Sequence, residues 1–272
     1  MDENSSCSSS SDTTNNMFTP DDQKLHFDPK LYLQQYYGDN SLTKGLKIIL
    51  YFLPSIAARL DIPRNGKKVR MVDIGSGPAI YMALGLRRKV DEIFLSDFAQ
   101  QNLQQLNMWW KNSGQCCFDW APIVKAIAEL EGLAVDEWSL LEQEARSKVR
   151  RILFCDVFRD NVLENFQHTN NGPNFDILSS IFCLEYASEN LDQFQRALAN
   201  ICKLIKKGGY LILGGAYEEN FYTIGEKKFA CHFLTENQLF DSLRMVGIRV
   251  DDQASFAYYL HENAFVVVGV KD

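Results

Sequence analysis

The sequence predicts an α/β fold: a mainly parallel seven-stranded sheet with one antiparallel strand and helices on both faces. Three observations carry this. From residue 69 onward, short β-rich runs alternate with longer helical stretches, the pattern of βαβ crossovers. A glycine-containing turn follows the first of these runs directly, as happens where a strand gives way to a ligand-binding loop. The chain ends on Ala264-Phe-Val-Val-Val-Gly-Val270, a strongly β-forming run that follows another near Ile248 with only a loop between, which points to a closing hairpin.

In chain order, residues 1–16 are Ser-rich and nearly free of large apolar groups, so they cannot bury enough surface to offset the entropy of ordering. They read as a disordered tail ahead of a single domain over 17–272. A lid-like helical region spans about 27–60, with apolar residues at helical spacing in Gly45-Leu-Lys-Ile-Ile-Leu-Tyr-Phe-Leu-Pro54. Strand-like runs follow at Val69–Ile74, Glu92–Ser96, Arg151–Cys155, Phe175–Ser180 and Tyr210–Gly214. Lys206-Lys207-Gly208-Gly209 has the composition of a helix C-terminus, basic at the negative end with glycine beyond.

Composition narrows the function. With 272 residues, 46% hydrophobic and 23% charged, the chain can bury a substantial core, and it shows neither a repeat nor a Pro/Gly/Ser-rich linker between halves. A net charge of -7 with dispersed Lys and Arg argues against a nucleic-acid surface and suits a cationic or neutral small ligand. No segment has signal-peptide character and no apolar run nears the roughly 20 residues that span a bilayer, so a cytoplasmic monomer without membrane attachment is expected. The seven cysteines form no regular framework and read as reduced thiols; Cys116-Cys117 are adjacent, a poor geometry for a disulfide. His26, His168, His232 and His261 lack metal-ligand spacing, and no metal is expected.

The first strand runs into Asp73-Ile-Gly75-Ser76-Gly77-Pro78, where glycines let the backbone turn sharply and a ligand approach the main chain. Asp97 ends the next strand about 20 residues on, where a carboxylate can accept both hydroxyls of an adenosine ribose. Nicotinamide dinucleotides and S-adenosylmethionine share that feature. The loop separates them: the third glycine of the dinucleotide fingerprint falls on Ile80, and Pro78 has no amide proton for a pyrophosphate. S-adenosylmethionine has no pyrophosphate and is favoured. Asp156-Val157, after the third strand, could bracket an adenine; a helix N-cap by Asp156 is the alternative.

The chain resembles the small-molecule N-methyltransferases that include the nicotinamide, phenylethanolamine and indolethylamine enzymes and the thioether S-methyltransferase. The matching stretches are Phe27-Asp-Pro-Lys-Leu-Tyr-Leu-Gln-Gln-Tyr-Tyr37, Val72-Asp-Ile-Gly-Ser-Gly-Pro-Ala-Ile-Tyr81, Ser96-Asp-Phe-Ala-Gln-Gln-Asn-Leu-Gln-Gln-Leu106, Phe118-Asp-Trp120, Leu130-Glu-Gly132, Phe182-Cys-Leu-Glu185, Leu204-Ile-Lys-Lys-Gly-Gly209 and Ile224-Gly-Glu226. The resemblance implies a Rossmann-like class I methyltransferase fold using S-adenosyl-L-methionine as methyl donor. It further implies donor contacts from Tyr37, Gly75, Ser76, Tyr81, Asp97, Asn102, Asp156 and Val157, and a cover carrying Tyr32, Tyr36 and Tyr37. Those tyrosines would equally suit an amphipathic helix packed on the core, and the two roles are compatible.

For the acceptor, Glu185 follows the fourth strand and Glu218-Glu219 the fifth, at the strand ends where open α/β sheets bind ligands. Acids beside an aromatic pocket would hold an ammonium and accept its proton. Solvated loop charge is the alternative for Glu218-Glu219. Glu185 and Glu219 fall on positions resembling the amine-binding acids of the phenylethanolamine branch. Gly215, Glu219 and Cys231 replace the pattern of the nicotinamide branch, where an aspartate typically stands at the position of Gly215. The segment Tyr258–Asn263 departs from the phenylethanolamine pattern. The sequence thus points to N-methylation of a small amine, with Tyr32, Glu185 and Glu219 at the acceptor. A pyridine such as nicotinamide, and a catalytically silent S-adenosylmethionine-binding protein, are the alternatives.

Overall fold

A computed structural model describes residues 17–38, 44–64, 66–112, 118–134, 137–166 and 175–272. The Ser-rich tail, Cys116-Cys117 and His168 lie outside them. A 3-10 turn (Pro20–Asp22) leads into α1 (Gln23–His26), α2 (Pro29–Tyr37) and α3 (Lys44–Arg59). Then come β1 (Arg70–Ile74), α4 (Tyr81–Leu86), β2 (Glu92–Asp97), α5 (Gln100–Trp110), α6 (Ala121–Leu130), α7 (Trp138–Lys148), β3 (Val149–Phe154) and β4 (Phe175–Ile181). The remainder is α8 (Leu184–Ala187), α9 (Leu191–Cys202), β5 (Ile205–Ala216), β6 (Phe221–Ile224), β7 (Lys227–Ala230), α10 (Glu236–Met245), β8 (Phe256–His261) and β9 (Ala264–Val270).

Seven strands form one sheet in the order β3-β2-β1-β4-β5-β9-β8. The pairings from β3 through β5 are parallel, and β9 runs antiparallel to both β5 and β8. Alternate residues of each strand enter opposite layers, as the pleat requires. Met71, Ile93, Ile212, Val266 and Val268 pack with Ile49 and Ile56 of α3, Leu84 of α4 and Ile123 of α6. Val72, Ile74, Leu211, Leu213 and Val267 pack with Phe194 and Leu198 of α9 and Leu239 and Leu243 of α10. Each such side chain, fully buried, contributes about 1.5–3 kcal/mol. The order of the strands reverses direction between β1 and β4, so the carboxyl ends of β1, β2, β4 and β5 frame the crevice where α/β sheets hold ligands.

Two local expectations are corrected and one hairpin is added. The partner of β9 is β8, whereas Ile248 forms only an isolated bridge with Lys271. Aromatic residues at Phe256, Tyr258 and Tyr259 favour a strand, and a two-residue turn at Glu262-Asn263, with Glu262 at φ +52°, closes the hairpin. Lys206–Gly209 do not end a helix: α9 stops at Cys202, and these residues open β5, with Lys206 Nζ 2.7 Å from Asp176 Oδ1. The pairing register shifts there, between Phe175 and Ile177 of β4, so the glycines serve a strand irregularity. The β6–β7 hairpin, absent from the sequence reading, turns at Gly225 and takes Phe18 beside it through a parallel bridge to Phe229.

Candidate active site

Two adjoining cavities open at the carboxyl edge of the sheet. Tyr37, Gly75, Ser76, Gly77, Tyr81, Asp97, Asn102, Asp156 and Val157 line the first, of about 390 Å³. Tyr32 lines both, and Glu219 lines the second, of about 520 Å³. Asp73 and Glu185 lie behind the walls, 5% and 1% exposed.

The first cavity is organised around Asp97. One carboxylate oxygen accepts the Gly77 amide at 2.7 Å, and the other accepts the Ala99 amide at 2.9 Å and Asn102 Nδ2 at 3.0 Å. Burial pushes this carboxyl upward while Asn102 and the backbone donors pull it back. Asn102 Oδ1, on a residue that lines the cavity, is buried without a protein partner. Beneath the loop, Asp73 accepts a short bond from Ser179 Oγ, and its carbonyl accepts from Ser96 Oγ at 2.8 Å and Ser76 Oγ at 3.2 Å. Burial raises Asp73 to about 7. Gly75 has φ +69°, and a Cβ there would fall 2.2 Å from Cys183 Sγ, so only glycine fits on both counts. A turn rather than a helix follows Asp156, which removes the N-cap alternative. Its Oδ1 accepts the Phe158 amide at 3.0 Å and Oδ2 pairs with Arg159 Nε at 3.0 Å.

The second cavity is an aromatic slot with acids at its rim. Tyr32, Tyr37, Phe182, Tyr186 and Tyr222 are common to both cavities. Tyr186 stacks on Tyr222 with centroids 4.4 Å apart and planes 12° from parallel. Burial holds the Tyr32, Tyr37 and Tyr81 phenols neutral, and hydrogen bonds link Tyr37 to the other two. Among the described residues lining this cavity none is Lys, Arg or His. Glu219 is half-buried, and its oxygens accept Asn263 Nδ2 at 2.7 Å and the Tyr186 hydroxyl at 3.2 Å. Glu218 lines the cavity at φ +60° but is exposed.

Glu185 sits under Gly215, its Oε1 accepting the Ala216 amide at 3.2 Å. Burial raises its carboxyl to about 8; the amide bonds pull down and Glu219 adds repulsion. At neutral pH it holds its proton. Tyr186, Tyr222 and Asn263 belong to no motif of the sequence. An aromatic directly after Glu185 was a signal for the first; nothing local marks Asn263.

The cover runs from Phe18 to Tyr37, while α3 packs against α4 and β9. Asp28 caps α2 by accepting the Lys30 and Leu31 amides at 3.0 and 3.1 Å. The cover is tied to both cavities: Gln23 Nε2 donates to Tyr186 O at 3.0 Å, Gln101 Nε2 to Gln23 O at 2.9 Å, and Tyr36 Oη to Thr223 O at 2.7 Å.

Comparison with known proteins gives a consistent result. A sequence profile of the NNMT/PNMT/TEMT family matches residues 15–272. The nicotinamide N-methyltransferase of Homo sapiens is 35% identical, over 78% of this chain and 79% of its own. That of Caenorhabditis elegans is 31% identical over 92% and 91%. The phenylethanolamine N-methyltransferase of Sus scrofa is 32% identical over 87% and 82%. Among solved structures, the magnesium protoporphyrin IX methyltransferase of Synechocystis with bound S-adenosylmethionine superposes with a TM-score of 0.53 at 12% identity, over 93% of this chain and 95% of that one, a likeness of fold.

Proposed function

The chain is an S-adenosylmethionine-dependent small-molecule N-methyltransferase of the NNMT/PNMT/TEMT family, and on that premise we propose that its acceptor is a small protonatable amine of the arylalkylamine kind. The observation that carries this reading is the acceptor slot: aromatic walls, Glu219 at the rim, Glu185 behind it, and no basic side chain among the described lining residues.

The donor supplies an electrophilic methyl group on a sulfonium; the chain's residues position it and prepare the nitrogen. In our reading Asp97 accepts the ribose hydroxyls, Asp156 and the Val157 amide bracket the adenine, and Gly75–Gly77 bring the main chain close. Tyr37 and Tyr81 wall the reacting end, and closure by α2 excludes water, so orientation and desolvation carry much of the rate. An alkyl ammonium enters the aromatic slot by cation–π attraction and meets Glu219. Glu219 accepts its proton directly or through water, leaving the lone pair free. A cation at the rim also favours ionisation of Glu185, because opposite charge offsets the burial that keeps it protonated.

A second reading, a pyridine acceptor such as nicotinamide, is favoured by the names of the human and nematode relatives. Such a nitrogen needs no deprotonation, and Tyr32 suits either ring. Turnover of radiolabelled donor across arylalkylamines, indolamines, nicotinamide and thioethers separates the two. Turnover of arylalkylamines above nicotinamide is the expected result; turnover of nicotinamide alone overturns the amine reading.

A further inference from the structure

The acid at the acceptor rim is not held by its own loop. Glu218 and Glu219 follow β5 in a turn where Glu218 takes φ +60°, and a carboxylate on such a turn, left to itself, samples many rotamers in water. Instead both Glu219 oxygens are taken, one by the Tyr186 hydroxyl from α8 and one by Asn263 Nδ2 from the β8–β9 turn. The two anchors differ in kind. Asn263 is exposed, so its bond, the shorter at 2.7 Å, competes with water, whereas the Tyr186 bond at 3.2 Å is partly buried.

Tyr186 is itself fixed on three sides. Its ring stacks on Tyr222 at 4.4 Å and faces Phe182 at 6.0 Å, and its carbonyl accepts Gln23 Nε2 of the cover at 3.0 Å. That ring belongs to the wall shared by the donor and acceptor cavities, beside the place where the methyl group must pass. One residue thus lines the slot, aims the acid at its rim and, through its main-chain carbonyl, holds the segment that closes over both.

We propose that Tyr186 is the positioning residue for amine recognition: through its hydroxyl it holds the Glu219 carboxylate toward the acceptor slot, and through its ring, packed against Tyr222 and Phe182, it keeps the aromatic wall of that slot in place. The inference rests on the amine reading above and deepens it. Tyr186 acts on the charged end through Glu219 and on the apolar end by keeping the wall of the slot in place. The two contributions separate by substitution, since Tyr186→Phe removes the hydroxyl and keeps the stack, whereas Tyr186→Leu removes both.

The test is calorimetric binding to the full chain loaded with S-adenosylhomocysteine, using 2-phenylethylamine as the cationic probe and 2-phenylethanol as its neutral counterpart. For Tyr186→Phe the affinity for 2-phenylethylamine falls about five- to tenfold, as expected when a freed Glu219 side chain must be immobilised as the amine binds. Affinities for 2-phenylethanol and S-adenosylhomocysteine stay within about twofold, within the scatter of a change that removes no shared contact. In a Glu219→Ala background the same substitution has no further effect on the amine, because its route of action is gone. Tyr186→Leu weakens both aromatic probes. An unchanged amine affinity in Tyr186→Phe, an equal loss for both probes, or an effect that persists without Glu219 overturns the inference while leaving the amine reading intact. A wild-type chain that binds S-adenosylhomocysteine but not 2-phenylethylamine overturns the amine reading, and this inference with it. Unfolding temperatures of each variant identify any general loss of fold.

Discussion

The Glu185 carboxyl occupies the space that a side chain at residue 215 would need: a Cβ on Gly215 would lie 2.4 Å from Glu185 Oε1 and 2.7 Å from its carboxyl carbon. The two positions, on α8 and β5, therefore exclude each other sterically. Gly215→Ala must push the carboxyl off the Ala216 amide it now accepts. The expected result is a fall of about ten- to a hundredfold in kcat/KM for an amine, the scale of an ångström-sized misplacement. S-adenosylhomocysteine affinity, read by calorimetry, should hold, because neither residue lines the donor cavity.

The buried acid should also be visible in the pH dependence of stability. Glu185 sits near 8 in the folded chain against an ordinary 4.5, chiefly because burial disfavours its charge. A raised folded value means that its stabilising contribution is fully present below about 4.5 and is lost as pH rises through about 8, on the order of a few kcal/mol in all. Asp73, near 7, contributes with the same sign, so the informative quantity is the difference between chains. The unfolding temperature of wild type should fall more steeply between about pH 5 and 9 than that of Glu185→Gln, the interval bracketing both ionisations. Parallel curves would show that the carboxyl at 185 is not what titrates.

Glu219→Gln keeps shape and hydrogen-bonding reach but removes the charge. For an arylalkylamine the expected loss in kcat/KM is about a hundredfold, because both ammonium binding and proton removal are affected. For nicotinamide the loss should be several-fold smaller, since a pyridine nitrogen brings neither charge nor proton. Equal losses with the two acceptors would remove Glu219 from the role of ammonium anchor.

How much of this was legible in the sequence depends on the range of the forces involved. The strand runs, the Gly75–Gly77 loop and Asp97 were readable because each rests on local pattern: alternation, a glycine turn, a fixed interval to the next strand end. The partner of β9 was misplaced because two β-forming segments precede it, and which one pairs is decided by the Glu262-Asn263 turn and by packing onto β5. The roles of Tyr186 and Asn263 were invisible for a related reason. Asn263 lies 44 residues from the Glu219 it bonds, and Tyr186 lies 33 away, so only the closed sheet brings them together. Glu185 was readable as an acid at a strand end, but not as a protonated one, because that state comes from burial under Gly215.

Asp97→Ala probes the donor side. The carboxylate accepts the Gly77 amide as well as Asn102, so its loss loosens the loop in addition to removing a ribose acceptor. S-adenosylmethionine affinity should weaken by about 2–4 kcal/mol in calorimetry, the scale of removing a buried charged hydrogen-bonding group. Asp97→Asn should retain part of this, since one amide oxygen still accepts a backbone donor. An affinity equal to wild type in the alanine variant would take Asp97 out of the ribose site.

The cover can be weakened without touching either cavity through Asp28, which is exposed and caps α2 by accepting the Lys30 and Leu31 amides. Asp28→Ala should destabilise that helix by about 1 kcal/mol, as N-cap removal does. Because α2 carries Tyr32, Tyr36 and Tyr37, the cost falls on closure over the site and is shared by both ligands, so KM for donor and acceptor should rise together by about fivefold. Asp28→Asn, which still accepts the capping amides, should behave as wild type. If Asp28→Ala instead raised KM for one substrate alone, α2 would be serving that substrate's cavity as a wall and not closing over both.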